Sequence, residues 1–235
     1  MENSVNVSEV FLSVQGEGKH VGVPTVFIRL KGCNLSCEFC DTPQKDMGEI
    51  IKITELQELV YKMVCTQPFT VSSITFTGGE PGLQSDAILS FFSREFCTTI
   101  RDWGITRIIV ETNGYGNMKY WSKLNNILNS FNMLLSISLS PKDETFGIMG
   151  RGTVPESYDF DLYVKILIKT TDNALNIAYI TDILKNIHNI YNYFELHNIY
   201  LQPLDGDKGI ISNLVDNNCY GYKLSIQVHK LLGLK

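Results

Sequence analysis

The chain has 235 residues, 44% of them hydrophobic and 19% charged, and a net charge of −5 at pH 7. That length can bury one substantial core and favours a single domain, while the acidic balance excludes a general phosphate-backbone binder, which needs a basic patch. No run approaches ~18 apolar residues, and the N-terminus carries Glu2 and Glu9 in place of a basic and then apolar leader, so a soluble cytoplasmic protein is expected.

In chain order, Thr25–Lys31 is the first β-branched run that reads as a strand. A helix over Thr54–Cys65 follows, opened by a capping box of Thr54 and Gln57. The strand Ser73–Thr77 leads into one helix over Asp86–Thr99, and Arg107–Glu111 leads into Tyr120–Asn129. Strands Leu134–Ser138 and Leu162–Ile168 flank a long connection from Thr145 to Phe160, and the helix Ala174–Tyr191 precedes a sixth strand, Ile199–Gln202. Alternation of this kind predicts parallel strands joined by right-handed crossovers. The continuous apolar triplets Ile108-Ile109-Val110 and Leu162-Tyr163-Val164 suit strands covered on both faces. An α/β fold with an open or partial barrel is the natural result.

Cysteine usage is uneven. Cys65, Cys97 and Cys219 are scattered in apolar segments, where a thiol acts as a small hydrophobe, and a disulfide scaffold is not indicated. Cys33, Cys37 and Cys40 form a CxxxCxxC loop directly after the first predicted strand. An iron–sulfur cube is normally held by four thiolates, so three suggest a cube with one iron open to a ligand. A structural zinc site is the competing reading, with His20 the nearby candidate for a fourth ligand.

Ligands of α/β sheets and barrels bind beyond the carboxyl ends of the strands, and the unusual motifs fall there. The cysteine loop follows the first strand and Thr77-Gly78-Gly79-Glu80-Pro81 the second. Glu111-Thr112-Asn113-Gly114 ends the third, Ser138-Leu139-Ser140-Pro141-Lys142 the fourth and Gln202-Pro203 the sixth. Each alone is ordinary turn chemistry; together they indicate a site. Arg29 lies in an otherwise apolar strand, where an unpaired cation is costly. Its planar fork suits a carboxylate ligand, and an internal ion pair with Glu17 or Glu111 is the alternative. His188, His197 and His229 read as packed or hydrogen-bonded side chains.

The cysteine loop after one strand and the Gly-Gly-Glu-Pro segment after the next resemble the radical S-adenosylmethionine superfamily. Within it, Gln15-Gly16-Glu17-Gly18, Gly22 through Arg29 with Phe27, Gly32-Cys33-Asn34-Leu35, Cys40-Asp41-Thr42, Glu111-Thr112-Asn113-Gly114, Ser140-Pro141-Lys142, Leu201-Gln202-Pro203 and Gln227-Val228-His229-Lys230 resemble the 7-carboxy-7-deazaguanine synthase family, from residue 8 onward. The resemblance implies a partial (β/α)6 barrel with a C-terminal extension, and the conversion of 6-carboxy-5,6,7,8-tetrahydropterin to 7-carboxy-7-deazaguanine and ammonia on the way to queuosine-type deazapurines. It implies a [4Fe-4S] cluster on Cys33, Cys37 and Cys40 and magnesium on Thr42. S-adenosylmethionine would be held by Phe39, Cys40, Asp41, Gly79, Glu111, Ser140, Pro141, Lys142, Gln202, Pro203, Leu204 and Asp205. The pterin would be held by Val14, Gln15, Gly16, Arg29, Thr77 and a terminal carboxylate on Lys235. It further implies an external electron donor such as a flavodoxin-like protein, a homodimer, and no direct contact with nucleic acid or membrane. An activase of a glycyl-radical partner protein and a zinc-stabilised binding module stand as alternatives.

Overall fold

The computed structural model describes residues 3–40, 42, 47–115, 118–142, 160–190 and 198–234. Strand β1 (Ser4–Val14) pairs antiparallel with β2 (Pro24–Leu30) on one edge and with β3 (Glu49–Lys52) on the other. From β2 the sheet continues in parallel through β4 (Ser73–Gly78), β5 (Arg107–Thr112), β6 (Leu134–Leu139), β7 (Asp161–Ile168), β8 (Ile199–Pro203) and β9 (Lys223–Leu224). The order β3-β1-β2-β4-β5-β6-β7-β8-β9 is open, with β3 and β9 at its edges. The six parallel strands expected from the sequence are β2 and β4–β8. The antiparallel β1 was not anticipated, because a register shift between Val7 and Glu9 interrupts its period-two pattern.

Seven α-helices are present among the described residues: α1 (Ile53–Cys65), α2 (Ser85–Phe91), α3 (Arg94–Asp102), α4 (Met118–Asn129), α5 (Asn173–Ile190), α6 (Lys208–Asp216) and α7 (Val228–Leu231). Two expectations need correction. Helix α1 begins a residue earlier than predicted: the Lys52 N–H donates to the Glu55 carboxylate at 2.9 Å, and Gln57 instead donates to the Phe91 carbonyl at 2.8 Å. The single helix expected over Asp86–Thr99 is two, because Ser93 is a better cap than a helix interior residue; its hydroxyl accepts from the Phe96 N–H at 3.2 Å and starts α3 anew. The break lets Phe91 and Phe92 close edge-on around Phe76 of β4, with Phe96 edge-on to Phe91.

Strand alternation separates two environments. Val26, Ile28, Leu30, Ile74, Phe76, Ile108, Val110, Leu135 and Ile137 face the helices in one apolar cluster. Val164, Ile166 and Ile168 meet Ile180, Ile183 and Ile187 of α5 in a second. Each such side chain stabilises the fold by roughly 1.5–3 kcal/mol. Cys97 is buried in the first cluster and Cys219 packs on the second, but Cys65 is exposed at the end of α1, not in the apolar setting its neighbours suggested.

The intervening residues face the barrel interior, which is polar. Thr25 and Thr75 share a hydrogen bond of 2.8 Å. At the amino ends of the strands His20 meets Ser136 at 3.1 Å and Asp161 at 3.6 Å. Arg107 and Lys19 join the same carboxylate. Burial would raise the Asp161 carboxyl, but His20 and Lys19 hold it well below the usual range. The open side of the sheet is crossed by the segment after β9: Val228 N–H donates to the Gly16 carbonyl at 2.9 Å, and Gly18 N–H donates to the Ser225 hydroxyl at 2.9 Å. The connection expected over Thr145–Phe160 lies outside the described residues up to 159. No helix among the described residues is long and apolar enough to cross a membrane.

Candidate active site

The carboxyl ends of the parallel strands surround a cavity of about 480 Å³. Its wall is built by backbone on backbone. A Cβ at Gly79 would stand 1.7 Å from the Gly32 carbonyl oxygen, so only glycine allows the loop after β4 to lie against the cysteine loop. The Glu80 N–H completes this seam with a 2.8 Å hydrogen bond to the same carbonyl. The Glu80 carboxylate is fully buried and accepts from the Thr112 hydroxyl at 2.6 Å, Gly82 N–H at 2.7 Å and Asn113 N–H at 2.7 Å. Burial pushes its carboxyl up to about 7 against the pull of these donors. It ties the loops after β4 and β5 together.

Cys33, Cys37 and Cys40 all line the cavity, and Cys40 is exposed. No three Cys, His, Asp or Glu side chains among the described residues gather around one point as a single ion requires. Thiolates that each ligate a different iron of a cube have no such need. His20, the candidate fourth ligand for zinc, is engaged with Ser136 and Asp161 at the other end of the strands. Three thiolates from one short loop, all at the cavity wall, are a donor set that fits the cube. Phe39 stands at the rim under two ammonium groups, Lys169 at 4.1 Å and Lys142 at 5.8 Å from its ring centre.

Opposite the cysteines, Glu111 of β5 gathers two neighbours: Gln15 Nε2 donates at 3.1 Å and the Thr77 hydroxyl at 2.7 Å. Arg29 of β2 is paired across the hairpin with Glu9, Nε to Oε2 3.4 Å, and lies 5.1 Å over the Phe11 ring, itself stacked on Phe27. Its acidic partner is thus neither Glu17 nor Glu111, because the antiparallel register sets Glu9 beside it. Glu17 instead pairs with the buried Lys165 of β7 and accepts from Gln227 at 2.6 Å. Burial alone would raise the Glu17 carboxyl, yet Lys165 and Gln227 hold it down at about 2. Burial alone would lower the Lys165 ammonium, yet Glu17 and Glu111 raise it above its usual range.

Of the residues singled out from the sequence, Val14, Gln15, Gly16, Arg29, Thr42, Thr77, Gly79, Glu111, Ser140, Lys142, Gln202, Leu204 and Asp205 join Phe39 and the three cysteines in lining this one cavity. Pro141 and Pro203 are buried and do not line it, although the residues next to them do. Asp41 and Lys235 lie outside the described residues. Glu9, Phe11, Glu17, Asn113, Lys165, Gln227, His229 and Lys230 also line the cavity and were not read as site residues. Lys165 carried the same signal as Arg29, a cation inside an apolar strand. His229 had been read as a packed side chain, and its ring does pack: a Cβ at Gly16 would stand 2.1 Å from its Nδ1.

Comparison with known proteins agrees with this construction. The Radical SAM superfamily profile matches residues 27–203. The 7-carboxy-7-deazaguanine synthase of Clostridium acetobutylicum is 30% identical over 232 residues, covering 96% of this chain and 95% of that protein. The protein of the same name from Thermoplasma acidophilum is 27% identical over 231 residues, 96% of each chain. The crystal structure of QueE from Escherichia coli shares the fold, with a TM-score of 0.64 at 19% identity over 97% of this chain and 96% of that one. The chain is a member of the radical S-adenosylmethionine superfamily, a class whose cofactors are a [4Fe-4S] cluster and S-adenosylmethionine. Within that class it belongs to the 7-carboxy-7-deazaguanine synthase family.

Proposed function

We propose that the chain converts 6-carboxy-5,6,7,8-tetrahydropterin to 7-carboxy-7-deazaguanine and ammonia, with the cavity as its active site. The observation that carries this reading is the convergence of the cysteine loop with polar groups from five other strand ends on one cavity, in a chain that matches nearly the whole length of the Clostridium acetobutylicum protein. Cys33, Cys37 and Cys40 hold the cluster. When bound there, the cluster and S-adenosylmethionine would supply the radical chemistry; the protein's own task is to orient the reactants and keep water away.

The glycine backbone at Gly79 leaves room for the methionine end of S-adenosylmethionine, Phe39 and Ser140 flank its nucleoside, and Gln202, Leu204 and Asp205 bound the adenine side. Lys142 adds a donor at the rim. Arg29 reads the substrate carboxylate: its Nε is engaged by Glu9, and its Nη atoms have no hydrogen-bond partner among the described residues. Glu111, already oriented by Gln15 and Thr77, accepts from the N–H groups of the pterin ring, and the Val14–Gly16 backbone covers its edge. The buried Thr42 side chain at the wall supplies an oxygen for magnesium.

One sheet shared by both apolar clusters supports a single domain. The rest of the reading is a cytoplasmic homodimer that draws electrons from a flavodoxin-like donor, acts on a small molecule rather than nucleic acid, and feeds a tRNA-modification pathway. The test is anaerobic turnover of cluster-reconstituted protein with S-adenosylmethionine, magnesium, a strong reductant and the tetrahydropterin, with product followed by mass spectrometry. Deazaguanine formation dependent on S-adenosylmethionine supports the reading; deoxyadenosine without deazaguanine removes the substrate assignment.

A further inference from the structure

The strand-end motif Glu111-Thr112-Asn113-Gly114 contains one polar side chain that the reading above leaves without a role, Asn113. It is buried at the cavity wall and constrained on several sides. Its backbone N–H donates to the buried Glu80 carboxylate at 2.7 Å, which fixes the main chain. Its Oδ1 accepts from the Tyr115 N–H at 3.0 Å. A backbone N–H is only a donor, so this contact decides which end of the amide is oxygen. The Nδ2 end must then face the cysteine loop, where it donates to Asn34 Oδ1 at 3.0 Å and lies 4.0 Å from Cys33 Sγ. The Leu35 N–H approaches the same sulfur at 3.4 Å.

We propose that Asn113 is a positioning residue that aims an N–H at the Cys33 thiolate and so raises the reduction potential of the cluster held by the cysteine loop. The inference rests on the reading that Cys33, Cys37 and Cys40 bind that cluster. Hydrogen bonds to cluster sulfurs are among the determinants of potential. A donor withdraws electron density from the thiolate and favours the more negative, reduced state. Asn113 suits this role because Glu80 fixes its main chain and the Tyr115 N–H fixes its side-chain amide, so the Nδ2 end keeps its direction.

A purely mechanical role would act through the other contact, the tether to Asn34, and the two are separable. Native chain and the variants Asn113→Leu, Asn113→Asp and Asn34→Ala are reconstituted anaerobically, assayed for iron and sulfide per chain, and titrated potentiometrically with the reduced cluster followed by electron paramagnetic resonance. Leucine deletes the donor in a similar shape; aspartate retains the acceptor for Tyr115 and puts a carboxylate oxygen where the donor was. At the native midpoint, both Asn113 variants are expected to show a reduced-to-oxidised ratio about tenfold lower, which for a one-electron couple is about 59 mV. Asn34→Ala, which keeps the donor, should stay near the native ratio. Asn113 variants with full iron and sulfide that titrate with native protein overturn the proposal, as does an Asn34→Ala shift equal to theirs. A native chain that takes up neither iron nor sulfide removes the cluster reading itself, and this inference with it.

Discussion

Replacing Glu17 by Gln strands the Lys165 ammonium in the barrel interior. The pair is closely buried, with the two side chains only 13% and 11% exposed, so solvent screening provides little relief. Removing one partner of such a pair costs roughly 3–5 kcal/mol. The titration of Glu17 leads to a similar size. Its carboxyl lies near 2 in place of 4.5, and at ~1.4 kcal/mol per unit this is about 3 kcal/mol. For a chain of this length, each kcal/mol moves the midpoint by about 2–4 °C, so Glu17→Gln should melt roughly 10 °C below native at pH 7. Because the folded carboxyl is depressed, the contribution is fully present above pH 4.5 and is lost as pH falls toward about 2. Thermal unfolding followed by near-ultraviolet circular dichroism tests both points, with Glu17→Gln/Lys165→Met alongside. The double variant, which leaves no charge stranded, should recover more than half of the loss. A Glu17→Gln midpoint within about 2 °C of native, with the acid limb unchanged, would refute the reasoning.

Three further outcomes follow from the site. Arg29→Gln removes a charge-assisted fork worth roughly 1.5–3 kcal/mol, so KM for the carboxylated pterin should rise about 10- to 100-fold, while binding of a tetrahydropterin that lacks the carboxylate should change little; equal losses for both would show that Arg29 does not read the carboxylate. Gly79→Ala places a Cβ 1.7 Å from the Gly32 carbonyl and should cut iron incorporation severalfold, measured per folded chain. Cys37→Ala should abolish the brown colour and all S-adenosylmethionine cleavage, and retained turnover would remove the cysteine assignment.

Much of this protein was legible in the linear chain because local rules govern it. The strands β2 and β4–β8 announced themselves as short β-branched runs, since a strand buried on both faces tolerates little else. Their carboxyl ends carried the unusual motifs, since a parallel sheet exposes backbone groups and loops there. The CxxxCxxC loop suggested a cluster ahead of a zinc site through its ligand count and spacing. Local signals misled at Thr54 and over Asp86–Thr99, where cap chemistry competes over a few residues and the outcome depends on what the neighbouring turn packs against.

What the tertiary structure decided is which charges meet. Arg29 could have paired with any nearby carboxylate; the antiparallel register of β1 on β2 chose Glu9. Glu17 and Lys165, 148 positions apart, become partners because the parallel order carries β7 round to the loop after β1 and the segment after β9 folds back over both. The orientation of Asn113 depends on Glu80, Tyr115 and Asn34 from three separate loops. Periodicity and spacing act within a few residues of the chain, whereas these ion pairs are set by distances through space, which exist only once the open sheet has curved around its polar interior.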